Sequence, residues 1–515
     1  MTSQPHGSTA TDMSNTPSSQ PQVPHHDALI IGSGFSGLCM AIALKKSGRQ
    51  DFLILEKGDG VGGTWRDNTY PGAACDVPSN MYSFSFEPNP NWSRMYSGQA
   101  EILNYMQHCA DKYDLMPHVQ ANSEVHELRW DEQQRIWHVS LADGSMMTAR
   151  IVVSGVGGLS RPALPKVKGL DQFAGPVFHS ADWHHEVDLT DKRVAVIGTG
   201  ASAIQFVPEI VPQVAKLSLF QRTPPWIVPK PDGRINPVIR HIFQHIPAAQ
   251  RFARNSIYWQ SELFGLGFLH PSLMKPIKNL ALWHLERQVP NAELRDKLTP
   301  NYTIGCKRVL FSNNYYPAVS QDNVDVIASG VSEVTRDSVI DSEGVAHPVD
   351  VVICGTGFDA QNPFGPLKIY DRKQHELRER GSMSAYLGIM MSDAPNLFFL
   401  LGPNTGLGHN SIIFMIESQV NFVMQCLDQM KQNRRASVEV RADAEQAFND
   451  KLRKQQKGTV WTSGGCKSWY LDENGQNTTL WPGFTWQYWL KTRSVDFADF
   501  KFAASRQPLA QQATV

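Results

Sequence analysis

The stretch Asp27-Ala28-Leu29-Ile30-Ile31-Gly32-Ser33-Gly34-Phe35-Ser36-Gly37 decides the fold. A short apolar segment runs straight into three glycines at the G-x-G-x-x-G spacing. An apolar helical pattern follows over residues 38–44, and a second apolar segment, Phe52-Leu53-Ile54-Leu55, ends on Glu56. The order is strand, tight turn, helix, strand. In such a unit the first glycine permits the turn and the second lets backbone approach a pyrophosphate. The third allows close helix packing, and the helix N-terminus faces the phosphates with partial positive charge. The glycine spacing alone is weak evidence, but its place between a strand and a helix makes it specific.

The same unit returns 166 residues later. Arg193-Val194-Ala195-Val196-Ile197 leads into Gly198-Thr199-Gly200-Ala201-Ser202-Ala203 and then into Leu217-Ser218-Leu219-Phe220, with Ala203 in place of the third glycine. The two copies differ at the end of the second strand. Glu56 lies 24 residues after Gly32, where a carboxylate accepts hydrogen bonds from ribose hydroxyls and suits the adenosine of FAD. Arg222 lies 24 residues after Gly198, where a guanidinium suits a 2′-phosphate and selects NADPH over NADH. Two more apolar segments, residues 151–155 and 350–355, end in glycine and read as later strands of the sheets. The expected fold is α/β, with two doubly wound, Rossmann-like dinucleotide-binding domains and a helical insertion. Two adjacent nucleotides imply hydride transfer from nicotinamide to flavin. Spacing leaves open whether the electrons go on to a disulfide, a quinone, an acceptor protein or O2.

The chain has 515 residues, room for about three domains. Its 48 basic and 49 acidic residues create no net field to draw nucleic acid or an anionic membrane, which argues against a polyelectrolyte partner and says nothing about small ligands. Seven cysteines lie scattered without a C-x-x-C pair, so zinc and thioredoxin-type signals are missing, and mostly free thiols in a cytoplasmic setting are expected. No run of 18 apolar residues predicts a membrane span. The Ser-, Thr-, Pro- and Gln-rich start, residues 1–25, reads as a disordered tail. The expected organisation is an FAD-binding domain from 26–165 and 356–515, an NADPH-binding domain from 166–230 and 306–355, and a helical, aromatic-rich insertion at 231–305. A hairpin is expected around the Asp472-Glu473-Asn474-Gly475 turn.

Two further segments narrow the function. One is Gly62-Gly63-Thr64-Trp65 followed by Tyr70-Pro71-Gly72 and Asp76. The other is Phe173-Ala174-Gly175, His179 and Trp183, just before the second glycine turn. With both glycine motifs they resemble the Baeyer–Villiger monooxygenases, class B flavoproteins, over residues 27–489. His184 departs from the Pro or Asp usual in that family. The resemblance implies insertion of one oxygen atom of O2 into a ketone by a C4a-peroxyflavin, giving an ester or lactone. The Gly402-Pro403-Asn404-Thr405-Gly406-Leu407-Gly408-His409-Asn410 stretch points towards aliphatic ketones.

By the same resemblance Arg308, in Gly305-Cys306-Lys307-Arg308, is the catalytic cation and Asp76 the carboxylate that holds it. A guanidinium cannot lose its proton and so steadies both the peroxide anion and the oxyanion of the adduct. Fingerprint and resemblance together name as cofactor contacts Gly32, Gly34, Phe35, Ser36, Glu56, Lys57, Gly63, Thr64, Trp65, Asp76 and Tyr82 for FAD. For NADPH they name Gly198, Thr199, Gly200, Ala201, Ser202, Arg222, Thr223 and Lys307. Asn410 is expected at the flavin and Trp469 in a loop closing over NADP+. His179 is assigned a positional role. The rival readings are an N- or S-oxygenating flavin monooxygenase, against which Trp183 and Arg308 argue, and an electron-transfer reductase. The latter lacks a redox cysteine pair near the first glycine turn, where Cys39 and Cys75 have the wrong spacing.

Overall fold

The computed structural model describes residues 23–504 apart from 360, 361, 363, 382 and 467. The expected tail lies outside this range up to residue 22, and its far edge needs correction. His25 already opens the first strand, and the Pro24 carbonyl accepts a hydrogen bond from Thr148 N at 2.8 Å. The edge moves because two histidines and a proline find backbone partners in a neighbouring strand.

β1 (His25–Ile31), α1 (Phe35–Lys46) and β2 (Phe52–Leu55) form the first βαβ unit. α2 (Thr64–Asp67) and α3 (Gln99–Lys112) follow, then β3 (Val119–Gln120), β4 (Val125–Asp131), β5 (Ile136–Leu141) and β6 (Met146–Ser154). Their sheet runs Lys368–Tyr370, β4, β5, β6, β1, β2, β3, with Leu397–Phe399 also paired to β6. The strands β6, β1, β2 and β3 are parallel, while β5 is antiparallel to both neighbours. The register sets Ile31 beside Leu55 and Ser154, so Gly32, Glu56 and Gly155 leave the sheet at one edge. This is the carboxyl edge, where doubly wound sheets take ligands. Near-continuous apolar strands such as β1, buried from Ala28 to Ile31, follow from helices and chain covering both sheet faces.

The second sheet is wholly parallel. It runs Val324–Ile327, then β9 (Lys216–Phe220), β8 (Arg193–Ile197), Val351–Cys354 and β7 (Val177–His179), with α4 (Ala203–Ile210) after β8. The strands at 151–155 and 350–355 that the sequence proposes occupy the places beside β1 and β8.

Between β9 and Val324–Ile327 the chain makes its helical excursion: α5 (Pro237–His245), α6 (Pro247–Leu269), α7 (Lys275–Gln288) and α8 (Ala292–Leu298). Asn236 and Asn291 cap α5 and α8 by accepting from Val238 N and Leu294 N, and proline opens α5 and α6 where no amide donor is required. Ile227–Val228 pairs in parallel with Leu310–Phe311, so the excursion leaves and returns side by side. The short helix α9 (Tyr315–Val319) packs on α4, and the long helix α10 (Ile412–Gln432), capped by Ser411, packs on α1.

Two expectations change. The hairpin is a single antiparallel bridge, Leu471 with Asn477, closed by the turn from Asp472 to Gly475. Five cysteines are free and buried, as expected, but Cys306 and Cys466 form a disulfide across 160 residues. Only tertiary contact brings those two together. Among the described residues no helix is long and apolar enough to cross a membrane.

Candidate active site

The carboxyl edges of both sheets open into one cavity of about 1870 Å³. Every cofactor contact expected from the sequence, in both glycine turns and beyond, lines it together with Arg308. Phe173, Gly175, His179 and Trp183 lie outside its wall.

The first turn is closely packed. A Cβ on Gly32, at φ +94°, would sit 2.7 Å from the Gly155 carbonyl oxygen. Gly34 and Gly63 meet back to back, so a Cβ on Gly63 would lie 3.0 Å from Gly34 Cα. This leaves backbone as the surface offered to a pyrophosphate at the start of α1. Glu56 is buried, and its carboxylate accepts from Ser33 N at 2.8 Å, Ser33 Oγ at 2.7 Å and Gly58 N at 2.8 Å. Burial alone would raise its pKa. The hydrogen bonds outweigh it and hold the group below the usual carboxylate range, so it is an anion at neutral pH. Trp65 Nε1 donates to Tyr82 Oη at 3.1 Å, and the two rings meet edge to face on the cavity wall.

The second turn repeats the device, with a Gly198 Cβ placed 2.5 Å from the Gly355 carbonyl oxygen. Its polar end is open. Arg222 is exposed, and its charge and Lys307 lie close enough to interact. Burial, and then that neighbouring cation, lower the Lys307 pKa. Lys307 Nζ lies 5.0 Å over the Tyr302 ring. Among the described residues neither cation is joined to a carboxylate in an ion pair, so the positive charge of both is left unneutralised at the cavity wall.

Arg308 stands in the wall of the same cavity. Its Nε donates to Asp76 Oδ2 at 2.6 Å and its Nη2 to Asp76 Oδ1 at 2.7 Å, while Nη1 is 3.5 Å from the Leu407 carbonyl oxygen. The bidentate contact fixes the plane of the guanidinium and leaves 34% of the side chain exposed towards the cavity. The Asp76 charge raises the Arg308 pKa against the effect of burial, so the cation is permanent. Burial would raise Asp76, but the Arg308 charge and hydrogen bonds hold it low. Beside the pair, burial pushes the Tyr470 hydroxyl up to about 12 and keeps the Cys75 thiol protonated.

The fingerprint residues build the edge of the second sheet. A Cβ on Gly175 would fall 2.2 Å from the Asp350 carbonyl oxygen. Trp183 packs between Phe178 and Phe206, and His184, the family departure, stacks on Phe178. His179 closes β7, and its Nδ1 accepts from Ala181 N at 3.0 Å; burial lowers its pKa. Its ring is therefore a neutral, packed group outside the reacting cavity. Asn410 is also more constrained than the sequence suggests. Its Nδ2 donates to Glu262 Oε1 at 2.6 Å and lies 3.4 Å from Thr485 Oγ1, and its Oδ1 accepts from Ser411 N at 2.7 Å. Asn410 thus lines the cavity with its side-chain amide committed to protein partners. Trp469 is half exposed and lies against Tyr470, with ring centroids 4.5 Å apart.

Sequence reasoning missed Ser33, which holds Glu56, and Tyr302 beneath Lys307. Serine between the glycines was a usable signal, since its hydroxyl and amide both face the strand end. Tyr302 had none, because it arrives from the far end of the helical excursion. Among the described residues no His, Cys, Asp and Glu cluster could hold a metal ion, and the carboxylate pairs formed are with cations.

A cavity with two glycine turns, a buried ribose-type carboxylate and a separate cation pair defines a flavoprotein that takes two dinucleotides. Comparison with known proteins agrees. The pyridine nucleotide-disulphide oxidoreductase family matches residues 29–258. A Baeyer-Villiger monooxygenase of Pseudomonas aeruginosa is 50% identical over 490 residues, 94% of this chain and 93% of that one. Cyclohexanone monooxygenase from Rhodococcus sp. Phi1 bound to NADP+ has 27% identity and a TM-score of 0.83, covering 94% of this chain and 100% of that one. OTEMO in complex with FAD and NADP has 26% identity, a TM-score of 0.84 and the same coverage. The chain belongs to the Baeyer–Villiger monooxygenases, and is an FAD- and NADPH-dependent monooxygenase.

Proposed function

We propose that this chain inserts oxygen into open-chain aliphatic ketones to give esters, with Arg308 as the cation at the reacting centre. The reading rests above all on the bidentate Arg308–Asp76 pair standing in the wall of the cavity that both glycine turns line. The division of the chain into FAD-binding (26–165, 356–515) and NADPH-binding (166–230, 306–355) parts goes with it. Ser33, Glu56 and the first turn would hold the FAD adenosine and pyrophosphate. The second turn, Arg222 and Lys307 would hold NADPH. Bound FAD would take the hydride and activate O2.

The protein's own work is electrostatic. Arg308 faces negative charge as it develops on oxygen and carries no proton to surrender there. Asp76 keeps the guanidinium planar to the cavity and cannot serve as an acid, since it is held ionised. Trp469 and Tyr470 would shield the cavity from water. Five buried free thiols and reliance on NADPH weigh towards a cytoplasmic setting, against the disulfide between Cys306 and Cys466.

Purified enzyme given NADPH and a panel of linear, cyclic and aryl ketones is expected to form esters, fastest from the linear ones. NADPH consumption with hydrogen peroxide as the sole product would remove the reading. Arg308→Ala is expected to lower ester formation by at least about 100-fold, roughly 3 kcal/mol of barrier, with flavin reduction by NADPH within a few fold of wild type. Product analysis and anaerobic stopped-flow separate the two.

A further inference from the structure

Glu262 lies deep in α6, in the helical excursion, and no part of the chemistry above uses it. It is 2% exposed, and its carboxylate is surrounded by donors from two distant segments. Asn410 Nδ2 and Thr485 Oγ1 each approach Oε1 at 2.6 Å, and Thr485 N donates to Oε2 at 3.1 Å. His409 Nε2 is 3.5 Å from Oε1, and the His409 ring fits only because residue 265 is glycine. A Cβ there would lie 2.8 Å from the ring. Thr485 opens the helix Thr485–Thr492, and Tyr258 Oη, one turn before Glu262, is 3.1 Å from Thr485 Oγ1.

Burial would raise the Glu262 pKa, but these donors hold it low, so the excursion carries a buried anion behind Asn410, which lines the cavity. Asn410 passes the constraint on: its Oδ1 holds Ser411 N, and Ser411 Oγ accepts from Ile413 N to cap α10. Leu407, Asn410, Ile412 and Ile416 all line the dinucleotide cavity.

We propose that Glu262 is a positioning residue. From the helical excursion it fixes Asn410, and through it the N-terminus of α10, in the cavity wall. The proposal rests on the reading that the flavin occupies this cavity. Its physical content is that upstream the loop is tied to residues 477–481 through Asn404 and Gly406, whereas at its end the Asn410 side chain is held by Glu262 and Thr485. Losing the carboxylate leaves the Asn410 amide and the Thr485 N–H buried without an acceptor, and the wall loosens and admits water.

The test uses FAD-loaded full-length enzyme and NADPH oxidation without ketone, read as hydrogen peroxide released. Glu262→Ala is expected to raise that rate about tenfold while FAD occupancy and the KM for NADPH stay within about twofold. Glu262→Gln, which keeps one carbonyl oxygen for Asn410, is expected to recover most of the loss. Asn410→Ala is expected to raise peroxide release at least as far as Glu262→Ala, and the double variant to be no worse than Asn410→Ala alone, since both break one chain of contacts. Unchanged peroxide release in folded Glu262→Ala and Glu262→Gln overturns the proposal, and so do effects that multiply in the double variant. Because no ketone is present, this outcome is independent of ester formation, and a failure of the ketone reading is told apart by the product panel alone.

Discussion

The two glycine turns share a backbone device and differ in how firmly each is closed. In the first, a Cβ on Gly37 would lie 1.9 Å from the Gly32 carbonyl oxygen, so the third glycine is compulsory. In the second, Ala203 occupies that place, and its Cβ keeps 3.4 Å from the position a Cβ on Gly355 would take. The helix start explains the difference. α1 begins at Phe35, directly after Gly34, whereas α4 begins at Ala203, three residues after Gly200, and so stands further from its own turn. The polar ends differ in the same sense. Glu56 is buried under four donors, Ser33 N, Ser33 Oγ, Gly58 N and Arg66 Nη2, while Arg222 is exposed. The first unit is built like a site that keeps its ligand and the second like one that exchanges it, which suits a resident flavin and a nicotinamide that must come and go.

Substitutions can break this contrast. The largest effect is expected from Gly37→Ala, which forces backbone apart and should lower stability by about 3 kcal/mol and strip FAD; thermal melting and flavin absorbance report it. Arg222→Ala comes next. It should raise the KM for NADPH about 10- to 100-fold, the worth of charge-assisted bonds to a 2′-phosphate, leave the KM for NADH nearly unchanged and not alter melting. An equal loss for both nucleotides would remove Arg222 from the phosphate.

A smaller effect concerns acid. The folded pKa of Glu56 is depressed, so its contribution is present above the unfolded value of about 4.3 and is lost as pH falls through the folded value. Glu56→Gln should therefore flatten the fall in melting temperature below pH about 4.3, by at most about 1.4 kcal/mol per pH unit. An unchanged slope would show that the carboxylate is not held ionised by folding. The smallest effect is expected from Ala203→Gly, about 1 kcal/mol of helix propensity with NADPH kinetics intact.

Both βαβ units, their order and the identity of the residues ending their second strands were legible because each is local. Period, glycine spacing and one charged side chain suffice within about 30 residues. The tail boundary failed for the opposite reason, since His25 is ordered by a strand more than 120 residues away. Asn410 was legible as a residue of the site but not in its contacts, because Glu262 lies 148 positions earlier in a helix that the sequence could only call an excursion. The fingerprint at 173–183 was readable as a pattern, yet its task, packing the edge of the second sheet, follows from neighbours such as Phe206 and Asp350.

The sequence by itself determined two dinucleotide units and the opposite charges of the residues just past their second strands, and family resemblance pointed to Arg308. Tertiary structure alone decided that Arg308 meets Asp76 across 232 positions, that Cys306 joins Cys466, and that a buried glutamate holds Asn410, a residue of the cavity wall. The division is physical. Turns and amphipathic periods are written in neighbouring residues, whereas salt bridges and buried acceptors exist only once distant segments have closed around them and excluded water.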